Sequence, residues 1–195
     1  MNDGASSLGH HTAASYFALG ECGILAPDDR VELLDGLVVA MAPPSDAHDA
    51  TVQLVQYALL AKLGLGVSIR VQSSFLAGGS SVPQPDVAVV PGKAGDYFLS
   101  TPTKAHLIVE VSLSSLLQDR LTKSAIYARA GVPCYWIVNL RDLCLEVHRE
   151  PDRWTSTYRC ITRVSGSDNL AIDEFPGVTF EAADFLPPAD YDSIT

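Results

Sequence analysis

Apolar and polar positions alternate along this chain in two rhythms, and the breaks between them fall at glycine, proline and an Asp-Gly pair. Ala14, Phe17 and Ala18, closed by Gly20, follow helical spacing and predict a short helix over 12–25, broken by Pro27-Asp28-Asp29. From Val31 to Met41 two apolar runs flank Asp35-Gly36, the dipeptide favoured in two-residue hairpin turns. That register sets Leu34 opposite Leu37 and Glu32 opposite Val39. Glu32 then shares a face with Leu34, with Leu37, Val39 and Met41 beside it. A carboxylate on an apolar face is costly unless a partner or a metal holds it. Pro43-Pro44 ends the hairpin, and Ser45 suits the cap of a helix over Asp46–Leu63. Its apolar stripe runs through Val52, Val55 and Leu59, with His48 at the head, and Gly64 and Gly66 stop it.

Three strand-like runs follow: Val67–Leu76, Val82–Val90 and His106–Ser112. A helix over Leu116–Ala130 closes at Gly131-Val132-Pro133. Its apolar stripe reads as Leu117, Leu121, Ala125 and Ala128, beside a polar stripe of Asp119, Lys123 and Tyr127. Cys134–Asn139 and Leu143–Arg149 predict a second hairpin, with weaker strands around Trp154–Val164 and Gly177–Phe180. The order predicts an α/β sheet with helices packed against it. The expected organisation is a single domain over 12–186, a flexible start over 1–11 and a tail over 187–195.

Composition narrows the class. Of the 195 residues 47% are apolar and 18% charged, enough to bury a core and too apolar for disorder. The apolar runs are strand-sized, so no membrane span is expected, and the first residues lack the basic start and apolar stretch of a secretion signal. A cytoplasmic protein is expected. The formal net charge of −10 speaks against general nucleic-acid binding. The charge is uneven: residues 119–163 hold 8 bases against 5 acids, while 164–195 hold 7 acids and no base. A weakly basic face on an acidic body leaves local contact with DNA open. Cys22, Cys134, Cys144 and Cys160 form no CxxC and no zinc spacing, and read as reduced fillers of core and strand positions. His10 and His11 receive no role.

The chemistry-bearing signals are single acids inside apolar strands. Alternation puts Asp86 on one face with Gln84, Ala88 and Val90, and Glu110 beside Ile108 and Ser112. If these strands are neighbours, the two carboxylates converge. Clustered carboxylates raise one another's pKa unless a divalent cation neutralises them, and hard oxygen ligands select Mg²⁺ or Mn²⁺. An Arg partner for each acid is the plainer alternative. Taken in isolation Lys123 reads first as half of a surface pair with Asp119; the alternative is an amine that reaches the acid cluster.

Gln84-Pro85-Asp86-Val87, then Val109-Glu110-Val111-Ser112-Leu113-Ser114, then Asp119, Lys123 and Tyr127, then Gly131-Val132-Pro133-Cys134-Tyr135-Trp136-Ile137-Val138, resemble the PD-(D/E)xK nuclease superfamily. Glu32-Leu33-Leu34-Asp35-Gly36 and Pro43-Pro44-Ser45…His48 fit its group of small restriction-endonuclease-like proteins. The resemblance spans roughly residues 30–150. It implies a restriction-endonuclease-like mixed sheet flanked by helices with added β-hairpins, and a Mg²⁺- or Mn²⁺-dependent endonuclease acting on DNA. Asp86 and Glu110 would hold the metal, Glu32 would assist, and Lys123 would position water or phosphate. His48, Asp119 and Gln84 are accessory candidates. The superfamily's lysine normally stands where Ser112 is, and Lys123, on the following helix, is its stand-in. A nuclease-fold protein that binds or regulates without cleaving is the alternative. A homodimer is expected, buried through an exposed Tyr-Trp hairpin.

Overall fold

The computed structural model describes residues 10–188. Thr12 caps α1 (Ala13–Glu21), and Asp35-Gly36 turns β1 (Val31–Leu34) into β2 (Leu37–Ala40) in the expected register, Glu32 opposite Val39 and Leu34 opposite Leu37. Both turn residues have positive φ, as this hairpin demands. The Ser45 hydroxyl accepts the His48 amide and starts α2 (Asp46–Leu63) at the predicted residue.

Six strands form the main sheet: β3 (Ser68–Val71), β4 (Val87–Val90), β5 (Leu107–Ser112), β6 (Cys134–Asn139), β7 (Cys144–Asp152) and β8 (Thr157–Val164), in that spatial order. Every neighbouring pair is antiparallel except β5 and β6, which are parallel and joined through a helical crossover. That crossover is one path of three parts: α3 (Leu116–Gln118), a π turn over Asp119–Lys123, and α4 (Ser124–Ala130), closed by Gly131 in the left-handed region. The small pair β9 (Asn169–Ala171) and β10 (Thr179–Glu181) completes the elements.

Alternation along the central strands divides the core. Val87, Val89, Leu107, Val109 and Trp136 face Val52, Val55 and Leu59 of α2 and Phe180 and Phe185 near the C-terminus. Ala88, Val90, Ile108, Tyr135 and Ile137 face Ile126 and Tyr127 of α4 and Leu34 of the hairpin. β1–β2 therefore lies over the second face, tethered by the Leu33–Val82 bridge and by an Arg129–Asp35 ion pair.

Several expectations change. The run Val67–Leu76 ends as a strand at Val71, because Gln72 turns with φ 45°. Val82–Gln84 leaves the sheet to meet the hairpin, so β4 begins only at Val87. Leu117 and Leu121 are exposed, while Asp119, Lys123 and Tyr127 are buried, so the helix presents its polar stripe inward. Tyr135 and Trp136 are fully buried within this chain, which removes the exposed Tyr-Trp surface proposed for a homodimer. His10 and His11 contact the hairpin turn through Asp35 and Gly36. The remainder of the predicted flexible start, 1–9, and of the tail, 189–195, lies outside the described residues. Among the described residues no helix is long and apolar enough to cross a membrane.

Candidate active site

Continuing the strand registers past Val71–Val87 and Val87–Val109 puts Gln72, Asp86 and Glu110 in one row across β3, β4 and β5. The Gln72 amide donates to the Asp86 carbonyl at 3.0 Å, and the Asp86 amide faces Glu110 Oε2 at 3.4 Å. Directly opposed residues of antiparallel strands project to the same face, so the two acids converge there. The hairpin lowers Glu32 onto that row, where its Oε2 accepts the Gln84 amide at 3.2 Å. Gln84 serves through its backbone, and its side chain turns away to the Val31 carbonyl at 3.3 Å.

The crossover helix adds the cation. Lys123 Nζ lies 3.1 Å from Glu110 Oε1 and 3.3 Å from Glu32 Oε2, with all three side chains buried. The helix is widened at this place: the Ser124 amide donates to the Asp119 carbonyl five residues back, a π turn of the kind often found at functional positions. Tyr127, one turn on, donates its hydroxyl to Glu110 Oε1 at 2.7 Å. Asp119 is buried too, but its Oδ2 is held by the Ser112 and Ser115 hydroxyls. Ser112, at the position where a lysine was missing, thus anchors the helix that delivers Lys123. Asp86 Oδ2 accepts the Val111 amide at 2.8 Å and lies 3.2 Å from His48 Nε2, and His48 Nδ1 lies 3.2 Å from Asp49 Oδ1.

Glu32, His48, Asp86, Glu110, Asp119 and Lys123 line a cleft of ≈ 430 Å³, whose lining also includes the exposed Arg30, Pro43 and Ser45. Burial holds the Glu110 carboxyl well above the usual range, and Asp86, Asp119 and Glu32 add to the rise against the pull of Lys123. Burial also raises Asp119. Burial works against the Lys123 charge, yet Glu110, Glu32, Asp119 and Asp86 together raise its pKa, so the amine stays protonated. Asp86 is lowered: burial opposes its charge, but the His48 contact and the Val111 amide outweigh it. The Asp86 contact chiefly raises His48 in turn.

Four buried acids, Glu32, Asp86, Glu110 and Asp119, outnumber the Lys123 ammonium and the His48 ring that face them, and a cation would balance the remainder. The donor set fits a hard divalent ion. Asp86 Oδ1 takes no hydrogen bond among the described residues, and Glu110 Oε2 has only the long amide contact. One oxygen from each neighbouring acid therefore remains without a close donor.

The residue pattern singled out Glu32, Asp86 and Glu110, the resemblance added Lys123 and His48, and the fold brings all five into one cleft. Tyr127 stood in the polar stripe and in the resembling blocks without a role; its place one turn after Lys123 was the signal that it reaches the same acid. The cysteines did not suggest a second cluster, yet Asp142, Cys144 and Glu146 place ligand atoms within 4.8 Å of one another. Arg120 and Arg163 pair with both of its acids and supply the positive charge there. Cys134 is buried, which pushes its thiol up to about 12 and leaves it a core filler, whereas Cys22 is exposed.

No curated protein matches the chain. A solved structure described as a "putative nuclease belonging to DUF820" from Anabaena variabilis ATCC 29413 superposes with a TM-score of 0.67 and 14% identity. The match covers 86% of this chain and 96% of that one. At that identity the likeness speaks for the fold alone, a restriction-endonuclease-like sheet. The model of the Uma2 family, described as "Putative restriction endonuclease", matches residues 14–183. With that match running over most of its length, the chain belongs to the Uma2 family.

Proposed function

We propose that this protein is a Mg²⁺- or Mn²⁺-dependent endonuclease that hydrolyses phosphodiester bonds of DNA. The observation that carries the reading is the convergence of Glu32, Asp86 and Glu110 on a single buried lysine within one cleft. Asp86 and Glu110 are the metal ligands. The bound cation would lower the pKa of water and offset charge on the transferring phosphate. Lys123, held protonated by its acids, acts as a fixed positive charge rather than a base, and steadies the phosphate or the attacking water. Glu32 holds that ammonium together with Glu110, and Tyr127 fixes the orientation of Glu110. His48 orients Asp86, and Asp119 anchors the π turn from which Lys123 projects. Arg30, two residues before Glu32, lines the cleft without an ion pair among the described residues and suits a flanking phosphate.

Cleavage of supercoiled plasmid in Mg²⁺ or Mn²⁺ tests this reading. The natural chain should nick or linearise it, and Glu110→Gln should abolish the reaction while keeping the circular dichroism spectrum. Cleavage retained in Glu110→Gln would sink the assignment. Absence of cleavage in the natural chain, with DNA binding intact, would favour the non-cleaving module.

A further inference from the structure

On the far side of the acid row, the chain opens a second groove. It is bordered by Arg70 and Gln72 of the β3 edge, Ser73 and Ser74 after it, and Tyr97 and Phe98 of the loop before β5. Gln72 belongs to both features: it lines this groove and hydrogen-bonds to the backbone of Asp86. One interstrand step, about 4.8 Å, separates it from the candidate metal ligand. Arg70 of β3 pairs with Ala88, two positions along the chain from Gln72.

The groove carries a cation and no acid. None of its lining residues is acidic, on a chain with 23 acids. Its cation has no carboxylate partner: Arg70 has no ion pair among the described residues, its Nε is buried without a hydrogen-bond partner, and its guanidinium lies over the Tyr97 ring, 5.4 Å from the centroid. Next to it Phe98 is 88% exposed and Leu99 fully exposed. They are displayed on a fixed turn, since the Tyr97 hydroxyl donates to the Pro91 carbonyl at 2.6 Å and the Lys93 amide to Asp96 at 2.8 Å. An exposed ring beside a guanidinium without a carboxylate partner and a row of hydroxyl and amide side chains matches a nucleotide with an accessible base: ring for the base, guanidinium and hydroxyls for the phosphate.

We propose that this groove holds an unpaired stretch of the nucleic-acid strand whose neighbouring phosphodiester lies at Asp86 and Glu110, which makes single-stranded or frayed DNA the substrate class. The proposal rests on the nuclease reading and deepens it. A paired base keeps both faces against its neighbours and cannot stack on Phe98, whereas an unpaired base can. Net charge points the same way. With 13 bases against 23 acids the chain lacks the phosphate neutralisation on which duplex binders depend, so stacking must supply affinity.

Fluorescence anisotropy of the full chain with a fluorescein-labelled single strand and a hairpin duplex of the same composition, both in Ca²⁺, tests this. The natural chain should bind the single strand more tightly. Phe98→Ala should weaken that binding roughly 5- to 150-fold, the range of one lost stacked base, and leave the duplex nearly unchanged. Phe98→Trp should retain it. Arg70→Gln should weaken binding and flatten its salt dependence. Because Phe98 is exposed, its truncation should leave the melting temperature in place. Equal affinity of Phe98→Ala for the single strand, or equal losses on both probes, would overturn the groove while leaving metal-dependent plasmid cleavage standing. Binding of neither probe together with absent cleavage would overturn both readings.

Discussion

Replacing Lys123 by methionine removes one ammonium and keeps much of the stem's volume, so its effect reads the electrostatics of the cluster. The amine sits 3.1 Å from Glu110 and 3.3 Å from Glu32. At an effective dielectric of ~20, each contact attracts by roughly 5 kcal/mol. Desolvation of the three charged groups offsets most of that gain. With the ammonium gone, the burial cost of both carboxylates stays, opposed only by neutral donors, the Tyr127 hydroxyl and Asp86 amide at Glu110 and the Gln84 amide at Glu32. Cutting one partner from a buried pair in this way costs about 3–5 kcal/mol. In a chain of this size each kcal/mol shifts the melting midpoint by about 2–4 °C, so Lys123→Met should melt roughly 6–20 °C lower in metal-free buffer. The double variant Lys123→Met/Glu110→Gln should recover part of the loss, because one of the stranded charges goes with its partner. Urea unfolding followed by circular dichroism gives the free energies. A loss below about 1 kcal/mol, the range of exposed pairs, would refute the claim that Lys123 neutralises buried acids.

His148 packs against the Tyr135 and Tyr158 rings, and burial lowers its pKa to about 4. The unfolded chain takes up this proton near ~6.5, so the stability present above that value falls as pH drops toward about 4, by about 3 kcal/mol for this group. His148→Phe should lose that part of the acid sensitivity, seen as a shallower slope of urea midpoint against pH; an unchanged slope would contradict it. On the crossover helix, Leu121→Gln should change stability by no more than about 0.5 kcal/mol. Leu116→Ala, on the buried face, should cost about 2–5 kcal/mol. Reversed magnitudes in thermal melts would mean that the helix buries its other stripe.

What the sequence disclosed follows from the range of the interactions involved. Asp35-Gly36 and Ser45 act within a few residues, so the hairpin register and the start of α2 emerge at the expected positions. Strand ends depend on distant partners. Val82 alternates like a strand residue but bridges Leu33 of the hairpin, and β9, three residues with Leu170 alone buried, carries too little pattern to be seen. The crossover helix shows the sharpest divergence. Counting apolar residues favours Leu117 and Leu121 as the buried stripe, yet pairing with Glu110 and Glu32 and the hydroxyls around Asp119 turn the polar stripe inward. In the site, Glu32, Asp86 and Glu110 were legible as charges on apolar faces. The approach of Lys123 runs through a π turn that no spacing reveals, and only the resemblance anticipated it.

The central claim, that Asp86 and Glu110 form one divalent-metal site, is tested most directly by isothermal titration of the metal-free chain with Mn²⁺. The account predicts saturable uptake by the natural chain, lost in both Asp86→Asn and Glu110→Gln while each variant keeps its fold. Absence of uptake, or uptake unchanged in either variant, would contradict it.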